Sequence, residues 1–212
     1  MRRLPVYLLL DTSGSMDGIP IEAVKTGLGS LLVALRRDPQ ALETAYLSVI
    51  TFNTTAQQVI PLTELPAIQA PDLKASGVTA FGDALSLLAR SIESEVKKTT
   101  SDTKGDWKPL VFIMTDGRPT DDWRRGLEDF RKVKTGVVVA CAAGPDADEA
   151  MLRDVTDSVV RLENADAASL GAFFKWVSAS IAVSSKRIDT GGGETKGLGD
   201  LPPPPAEINP VL

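Results

Sequence analysis

Histidine is absent from this 212-residue chain, and cysteine occurs once, at Cys141. These absences exclude a disulfide within the chain, zinc sites built from cysteine and histidine, and every mechanism that needs a histidine base. They leave oxygen atoms as the ligands for any metal ion. The unpaired cysteine agrees with a reducing compartment, so we expect a cytoplasmic protein.

A large basic field is also missing, since the net charge is −5 at pH 7. We therefore expect no nucleic-acid binding, which depends on neutralising phosphates. We interpret the two short basic clusters, "KK" at 97–98 and "RKVK" at 131–134, as solvated helix ends.

Long apolar runs are missing as well. The first run, "LPVYLLL", is interrupted by Asp11, and no small-residue cleavage site follows it, so we interpret it as a buried strand rather than as a signal peptide. No other apolar stretch looks long enough to span a bilayer, and we expect no membrane partner.

Strand and helix patterns alternate along the chain. Helical stripes of apolar residues, such as the one from Phe81 to Val96, separate the strand patterns. Strands are predicted at 4–10, 44–52, 56–62, 108–114, 136–143 and 158–162. This order predicts an α/β fold, with a doubly wound, mostly parallel six-stranded sheet, one antiparallel edge strand and helices on both faces.

The length fits one domain, which we place at residues 1–184. Residues 185–212 differ in composition, because glycine and proline supply ten of these 28 positions, including "GGG" and "PPPP". We expect this segment to be a Gly/Pro-rich C-terminal tail.

Polar side chains gather where two predicted strands end. The first strand ends at Asp11, and Ser13 and Ser15 follow at alternate positions; Asp116 follows the strand at 108–114. Thr79 stands before a predicted helix. Because ligands of doubly wound sheets bind outside the carboxyl ends of the strands, we expect these five residues to meet there.

The residue types favour a hard divalent cation. Hydroxyl and carboxylate oxygens suit Mg²⁺, and also Mn²⁺ or Ca²⁺, better than they suit soft metals. Few of these ligands are anionic, so a bound ion keeps positive character and attracts a carboxylate from outside. A protein partner supplying an Asp or Glu is therefore the expected ligand.

Each part of the motif also has a purely structural interpretation. Asp11 and Ser13 fit helix caps, Thr79 fits an N-cap, and "TDG" at 115–117 fits a turn. Taken together, three loops with the right residue types at the right strand ends favour the metal site.

Charged residues surround the same loops. Asp17, Arg118, Asp121 and Asp122 are expected to form a partner-binding rim that selects partners by charge. An alternative for "RPTDDWRR" is that Thr120 and Asp121 cap the helix that follows them.

The three-part motif resembles that of the von Willebrand factor A (vWA) domain over residues 4–183. That family carries a metal-ion-dependent adhesion site (MIDAS) on a Rossmann-like fold. The resemblance implies that Ser13, Ser15 and Thr79 contact the cation, and that Asp11 and Asp116 hold it directly or through water.

A narrower resemblance is to the bacterial TerY-type proteins of tellurite-resistance systems, carried by "VYLLLDTSGSMDGIPIEAV", "LETAYLSVITF" and "KGDWKPLVFIMTDGRPTDDW". It implies a non-catalytic adaptor in a stress response, with a PP2C-type phosphatase and a Ser/Thr kinase as partners in phosphorylation signalling. A zinc-ribbon extension found in some relatives has no cysteines to form it here.

An enzyme is the alternative. Asp11 after a first strand is also the position of the nucleophile in Mg²⁺-dependent phosphatases of the haloacid-dehalogenase type. Those enzymes need a second carboxylate two residues later, where this chain has Ser13, and no lysine lies in the first loop. The residues therefore favour binding over catalysis.

Overall fold

The computed structural model describes residues 2–191 and 193–211. The strands are β1 (Leu4–Asp11), β2 (Ala45–Phe52), β3 (Ala56–Glu64), β4 (Leu110–Thr115), β5 (Val138–Ala143), β6 (Val159–Leu162) and β7 (Asn209–Pro210). The helices are α1 (Ile19–Arg37), α2 (Pro39–Thr44), α3 (Phe81–Glu95), α4 (Trp123–Phe130), α5 (Glu149–Val155) and α6 (Ala167–Asp189).

The strands form one sheet in the order β3-β2-β1-β4-β5-β6-β7. Strands β2, β1, β4, β5 and β6 are parallel, whereas β3 pairs antiparallel with β2. The predicted α/β fold with a doubly wound, mostly parallel sheet is confirmed. Because β1 lies between β2 and β4, the strand order reverses beside β1.

The strand count is seven rather than the predicted six. The additional strand, β7, consists of two residues of the C-terminal segment and pairs antiparallel with β6. A two-residue strand that includes a proline carries no periodic apolar pattern, so the sequence offered no signal for it.

Helices cover both faces of the sheet. In β1, Val6 and Leu8 belong to the apolar cluster that includes α1 and α6, whereas Tyr7 and Leu9 belong to the cluster that includes α3, α4 and α5. Successive strand residues point to opposite faces, so a strand covered on both sides is apolar throughout. This explains why β1 reads as a continuous apolar run.

Helix α6 is a core helix of the α1 face. By length and mean hydropathy, residues Ala167–Ile188 could cross a membrane. This differs from the expectation that no apolar stretch after the first one is long enough to span a bilayer. Half of the most apolar 18-residue stretch of this helix is buried inside the protein. Phe174 packs so closely on α1 that a Cβ added at Gly27 would lie 2.3 Å from its ring.

The C-terminal segment packs on the domain. Helix α6 continues to Asp189, past the expected boundary at residue 184. Beyond it, the Thr195 hydroxyl donates to Ser184 Oγ at 3.0 Å, and Trp176 Nε1 donates to the Pro202 carbonyl at 2.8 Å. Ile208 is also buried. Residues that composition marks as a tail thus contribute to the core.

Candidate metal centre

The ends of β1 and β4 lie side by side at one edge of the sheet, which we call the carboxyl edge. Leu10 of β1 pairs in parallel with Met114 of β4, so Asp11 and Thr115 occupy equivalent positions on adjacent strands. The loops after the two strands therefore start next to each other. This places Asp11 and Asp116 at the point where the strand order reverses, as the sequence predicts.

Asp11 lies at the base of the site and is fully buried. Its Oδ1 accepts a hydrogen bond from the Ser13 backbone N–H at 2.8 Å, and its Oδ2 accepts one from the Thr115 hydroxyl at 2.6 Å. Burial raises the pKa of the Asp11 carboxyl, and these hydrogen bonds partly offset that rise. Both oxygens are therefore oriented by the protein itself.

A chain of hydrogen bonds leads outward from this base. The Ser13 and Ser15 hydroxyls lie 3.0 Å apart, and the Ser15 hydroxyl donates to Asp116 Oδ1 at 2.8 Å. Ser13 is buried, whereas Ser15 is exposed to solvent. The two loops thus present a graded set of oxygen atoms from the interior to the surface.

Thr79 joins the same edge through its backbone. Its N–H donates to the Thr120 hydroxyl at 3.1 Å, and its carbonyl accepts the Thr120 N–H at 2.9 Å. A Cβ added at Gly117 would lie 3.7 Å from the Thr79 hydroxyl, which therefore faces the loop that carries Asp116. The structure thus links Asp11, Ser13, Ser15 and Asp116 by hydrogen bonds and places the Thr79 hydroxyl beside the loop that carries Asp116.

The site is electronegative. Burial raises the pKa of Asp116 too, the nearby Asp146 carboxylate adds to the rise, and the hydrogen bond from Ser15 opposes it. Among the described residues, neither Asp11 nor Asp116 forms an ion pair. Partly desolvated carboxylates without a cationic partner favour a bound cation.

The donor set fits a hard cation. Three hydroxyls and two carboxylates are the oxygen ligands that Mg²⁺ and Ca²⁺ accept. Within residues 2–191 and 193–211, no group of three or more His, Cys, Asp or Glu side chains is arranged to hold a metal. The carboxylates here number two, so hydroxyls would have to supply the remaining protein ligands.

A family model of the von Willebrand factor type A domain matches residues 6–175, which is most of the chain. The chain belongs to this family. The broader of the two resemblances seen in the sequence is therefore confirmed. Domains of this family are typically non-catalytic interaction modules.

Solved structures of other proteins share the fold of this vWA domain. A von Willebrand factor type A protein from Catenulispora acidiphila has a TM-score of 0.64 at 19% identity, covering 85% of this chain and 43% of that one. The pilus adhesin SpaC from Lactobacillus rhamnosus GG, in an open conformation, has a TM-score of 0.68 at 15% identity, covering 86% and 30%. At these identities the likeness concerns the fold alone.

One curated relative is the uncharacterized protein sll0103 of Synechocystis sp. It is 37% identical over 123 residues, which is 55% of this chain and 26% of the relative. The chain thus spans about a quarter of that relative's length and less than half of the Catenulispora acidiphila chain. The name of the relative gives no function, so the narrower resemblance to TerY-type proteins stays a prediction.

The predicted rim of the vWA site has two kinds of member. Asp17, Arg118 and Asp122 are exposed and available to a partner. Asp121 is half-buried, and its two oxygens accept the N–H groups of Gly82 and Asp83 at 3.0 and 2.9 Å. Asp121 therefore caps the first turn of α3.

This cap differs from the structural alternative drawn from the sequence, in which Thr120 and Asp121 cap the helix that follows them. The Thr120 hydroxyl accepts the Thr79 N–H instead. Thr120 thus binds the loop that carries Thr79, and Asp121 binds the start of α3, because α3 and α4 begin side by side at the carboxyl edge. Sequence proximity had suggested the wrong helix.

Sequence reasoning missed two residues of the site. Thr115 holds one oxygen of Asp11, and Asp146 contributes negative charge beside Asp116. Thr115 is the first residue of the "TDG" motif, from which the sequence predicts only the aspartate as a ligand. Asp146 follows β5, so its position after a strand of the parallel sheet was the available signal.

Proposed function

We propose that this vWA domain is a non-catalytic protein-binding module that uses a divalent cation, Mg²⁺ in the first instance, to bind a carboxylate of a protein partner. The observation that carries the proposal is the hydrogen-bonded series Asp11–Ser13–Ser15–Asp116, which reaches the surface and whose two carboxylates form no ion pair within the part of the chain that the structure describes. Mn²⁺ and Ca²⁺ accept the same ligands and are the alternatives.

The five residues of the site would hold the ion in two ways. Ser13, Ser15 and Thr79 would hold the ion through their hydroxyls, and Asp11 and Asp116 through carboxylate oxygens or water. When bound, the ion supplies a positively charged, incompletely liganded centre for an acidic group. The exposure of Ser15 beside Asp116 leaves the solvent side of the site accessible to that group.

The rim makes the site selective for particular partners. Asp17, Arg118 and Asp122 are exposed charges around the opening, and charges in such positions steer encounter and reject partners of the wrong charge. An acidic partner would have to bring its carboxylate past Asp17 and Asp122, so Arg118 is the rim residue expected to attract it.

The geometry does not favour a phosphatase. A nucleophilic aspartate needs an accessible oxygen, yet Asp11 is fully buried and each of its oxygens accepts a hydrogen bond. Hydrolysis of a generic phosphate ester in the presence of Mg²⁺, lost in Asp11→Asn, would contradict the binding assignment.

The cellular role we propose rests on the narrower sequence resemblance. It is that of a cytoplasmic adaptor in a tellurite-resistance or related stress system, with a PP2C-type phosphatase and a Ser/Thr kinase as partners. Co-purification from cell extract in Mg²⁺, followed by mass spectrometry, tests this role separately from metal binding.

The direct test is calorimetric titration of Mg²⁺ into the protein and its variants. Ser15→Ala and Thr79→Ala are expected to weaken Mg²⁺ binding by about tenfold or more. Ser30→Ala is the control, because Ser30 is an exposed serine of α1. Partner capture should then require Mg²⁺ and disappear with a chelator.

Equal Mg²⁺ affinity in the wild type and both variants would contradict the metal assignment. Capture of the same partners in the presence of chelator would contradict metal-dependent binding.

A further inference from the structure

A second concave surface lies at the opposite end of the sheet, which we call the amino edge. It is a pocket of about 540 Å³ between the last turn of α3, the residues that follow α4 and the loop before β4. Five of the chain's eleven lysines line it: Lys97, Lys98, Lys108, Lys132 and Lys134. We call it the lysine pocket.

The floor of the lysine pocket is apolar. Five apolar residues form this floor, and all except the buried Pro109 belong to or pack against the core clusters: Ile92, Val96, Trp107, Pro109 and Val133. The Arg2 guanidinium stacks over the Trp107 ring at 3.7 Å and adds another positive charge nearby. The pocket therefore combines a cationic rim with an apolar base.

Two carboxylates line the same pocket. Asp106 is held by the guanidinium of Arg3, with N–O distances of 2.5 to 3.1 Å, so its charge is compensated. Glu93 is exposed on α3. Two acids line the lysine pocket with five lysines, and Asp129 and Glu194 each pair with one of these lysines, so positive charge stays in excess there although the chain as a whole is negative.

Helix dipoles explain part of this arrangement but not all of it. Positive charges at the carboxyl ends of α3 and α4 interact favourably with the helix dipoles. From the sequence alone, we interpret the two basic clusters in this way. However, the fold makes both helices end at one place, and Lys108 arrives from a separate loop. Lysines gathered this closely repel one another, and an anion would relieve that repulsion.

Several of these lysines are available. Within the described part of the chain, the side chains of Lys97, Lys98 and Lys134 form no ion pair, whereas Lys132 pairs with Asp129. Lys108 pairs at 2.8 Å with Glu194, which belongs to the C-terminal segment. A carboxylate of the chain itself thus already pairs with one lysine of the pocket.

We propose that the lysine pocket is a second protein-binding site, which takes an acidic peptide segment carrying apolar side chains. The lysines match the acidic groups, and the apolar floor accommodates the side chains between them. A bare phosphate would not use that floor, and nucleic acid would call for a broader basic surface.

The lysine pocket is separate from the metal centre. Thr79 precedes α3 and Lys97 follows it, and the 15 residues of that helix span about 22 Å. Two partners could therefore bind at the two edges at once. This inference goes beyond the proposed function and does not depend on a metal ion.

The test uses fluorescence anisotropy with a short labelled peptide of alternating glutamate and leucine. The matched probe has glutamine in place of glutamate. We expect the glutamate peptide to bind and the glutamine peptide not to bind. A metal chelator should leave the affinity for the glutamate peptide unchanged. Lys98→Glu and Lys134→Glu should each weaken binding by roughly tenfold.

The control is Lys175→Glu, which makes the same charge change at an exposed position of α6, on the other face of the sheet. It should bind as the wild type does. All three lysines are exposed, so these variants should fold, which circular dichroism would confirm.

Equal affinity in the wild type and both pocket variants would overturn the proposal. So would equal binding of the glutamine peptide, or an equal loss in Lys175→Glu. A single-stranded oligonucleotide is also tested as a ligand. If it binds more tightly than the acidic peptide and depends on the same lysines, the ligand of the lysine pocket is nucleic acid and the proposal is wrong. Loss of peptide binding with chelator would assign the peptide to the metal centre instead.

Discussion

Helices α3 and α4 pack backbone against backbone where two glycines meet. A Cβ added at Gly126 of α4 would lie 2.1 Å from the carbonyl oxygen of Gly82 and 2.7 Å from its Cα. No side-chain rotation can relieve this overlap, because the opposing atoms belong to the main chain of α3. We therefore predict that Gly126→Ala forces the two helices apart.

The magnitude follows from two opposing terms. Alanine is favoured over glycine in a helix interior by about 1 kcal/mol. Overpacking of a filled interior costs about 1–3 kcal/mol, and more where the backbone must move. Because the backbone must move here, we take the upper end of that cost, about 3 kcal/mol, and so expect Gly126→Ala to lower the free energy of unfolding by a net of about 2 kcal/mol.

Gly29→Ala is the matched control. Gly29 lies inside α1, and an added Cβ would meet nothing within 4 Å. This substitution should stabilise the protein by about 0.5–1 kcal/mol. The same chemical change is thus expected to have opposite signs at the two positions.

Urea unfolding followed by circular dichroism measures both variants. For a urea m-value of about 2 kcal/mol per molar, their midpoints should differ by roughly 1.5 M. Equal midpoints, or a more stable Gly126→Ala protein, would refute the helix contact and with it the arrangement of loops at the carboxyl edge.

Three other predictions concern single side chains. Asp121→Ala should lower the free energy of unfolding by about 1–2 kcal/mol, because the first turn of α3 loses its cap. An unchanged midpoint of urea unfolding would show that this cap contributes nothing to stability. Thr115→Val removes the donor to a buried carboxylate oxygen of Asp11 and should cost about 1.5–3 kcal/mol, whereas Thr115→Ser should recover most of the loss if the hydroxyl is what matters. The Cys141 thiol is fully buried and burial raises its pKa, so a thiol reagent should label it slowly in the native protein and rapidly in urea; fast native labelling would contradict its burial.

The sequence determined the layout of the domain. An apolar run such as β1 reads as a strand buried on both faces, and the helical stripe that begins at Phe81 reads as α3, because each pattern depends on residues close together in the chain. The convergence of Asp11 and Asp116 was also predictable. In a parallel sheet whose order reverses beside β1, the ends of β1 and β4 must share one edge.

The tertiary structure decided which separate segments meet. Asp121 caps α3 rather than the helix that follows it, Asn209 and Pro210 pair with β6, and lysines from three segments line one pocket. None of these contacts has a periodic signal, since each depends on distances between residues remote in sequence. Such distances are fixed only when strand order and helix packing bring the segments together.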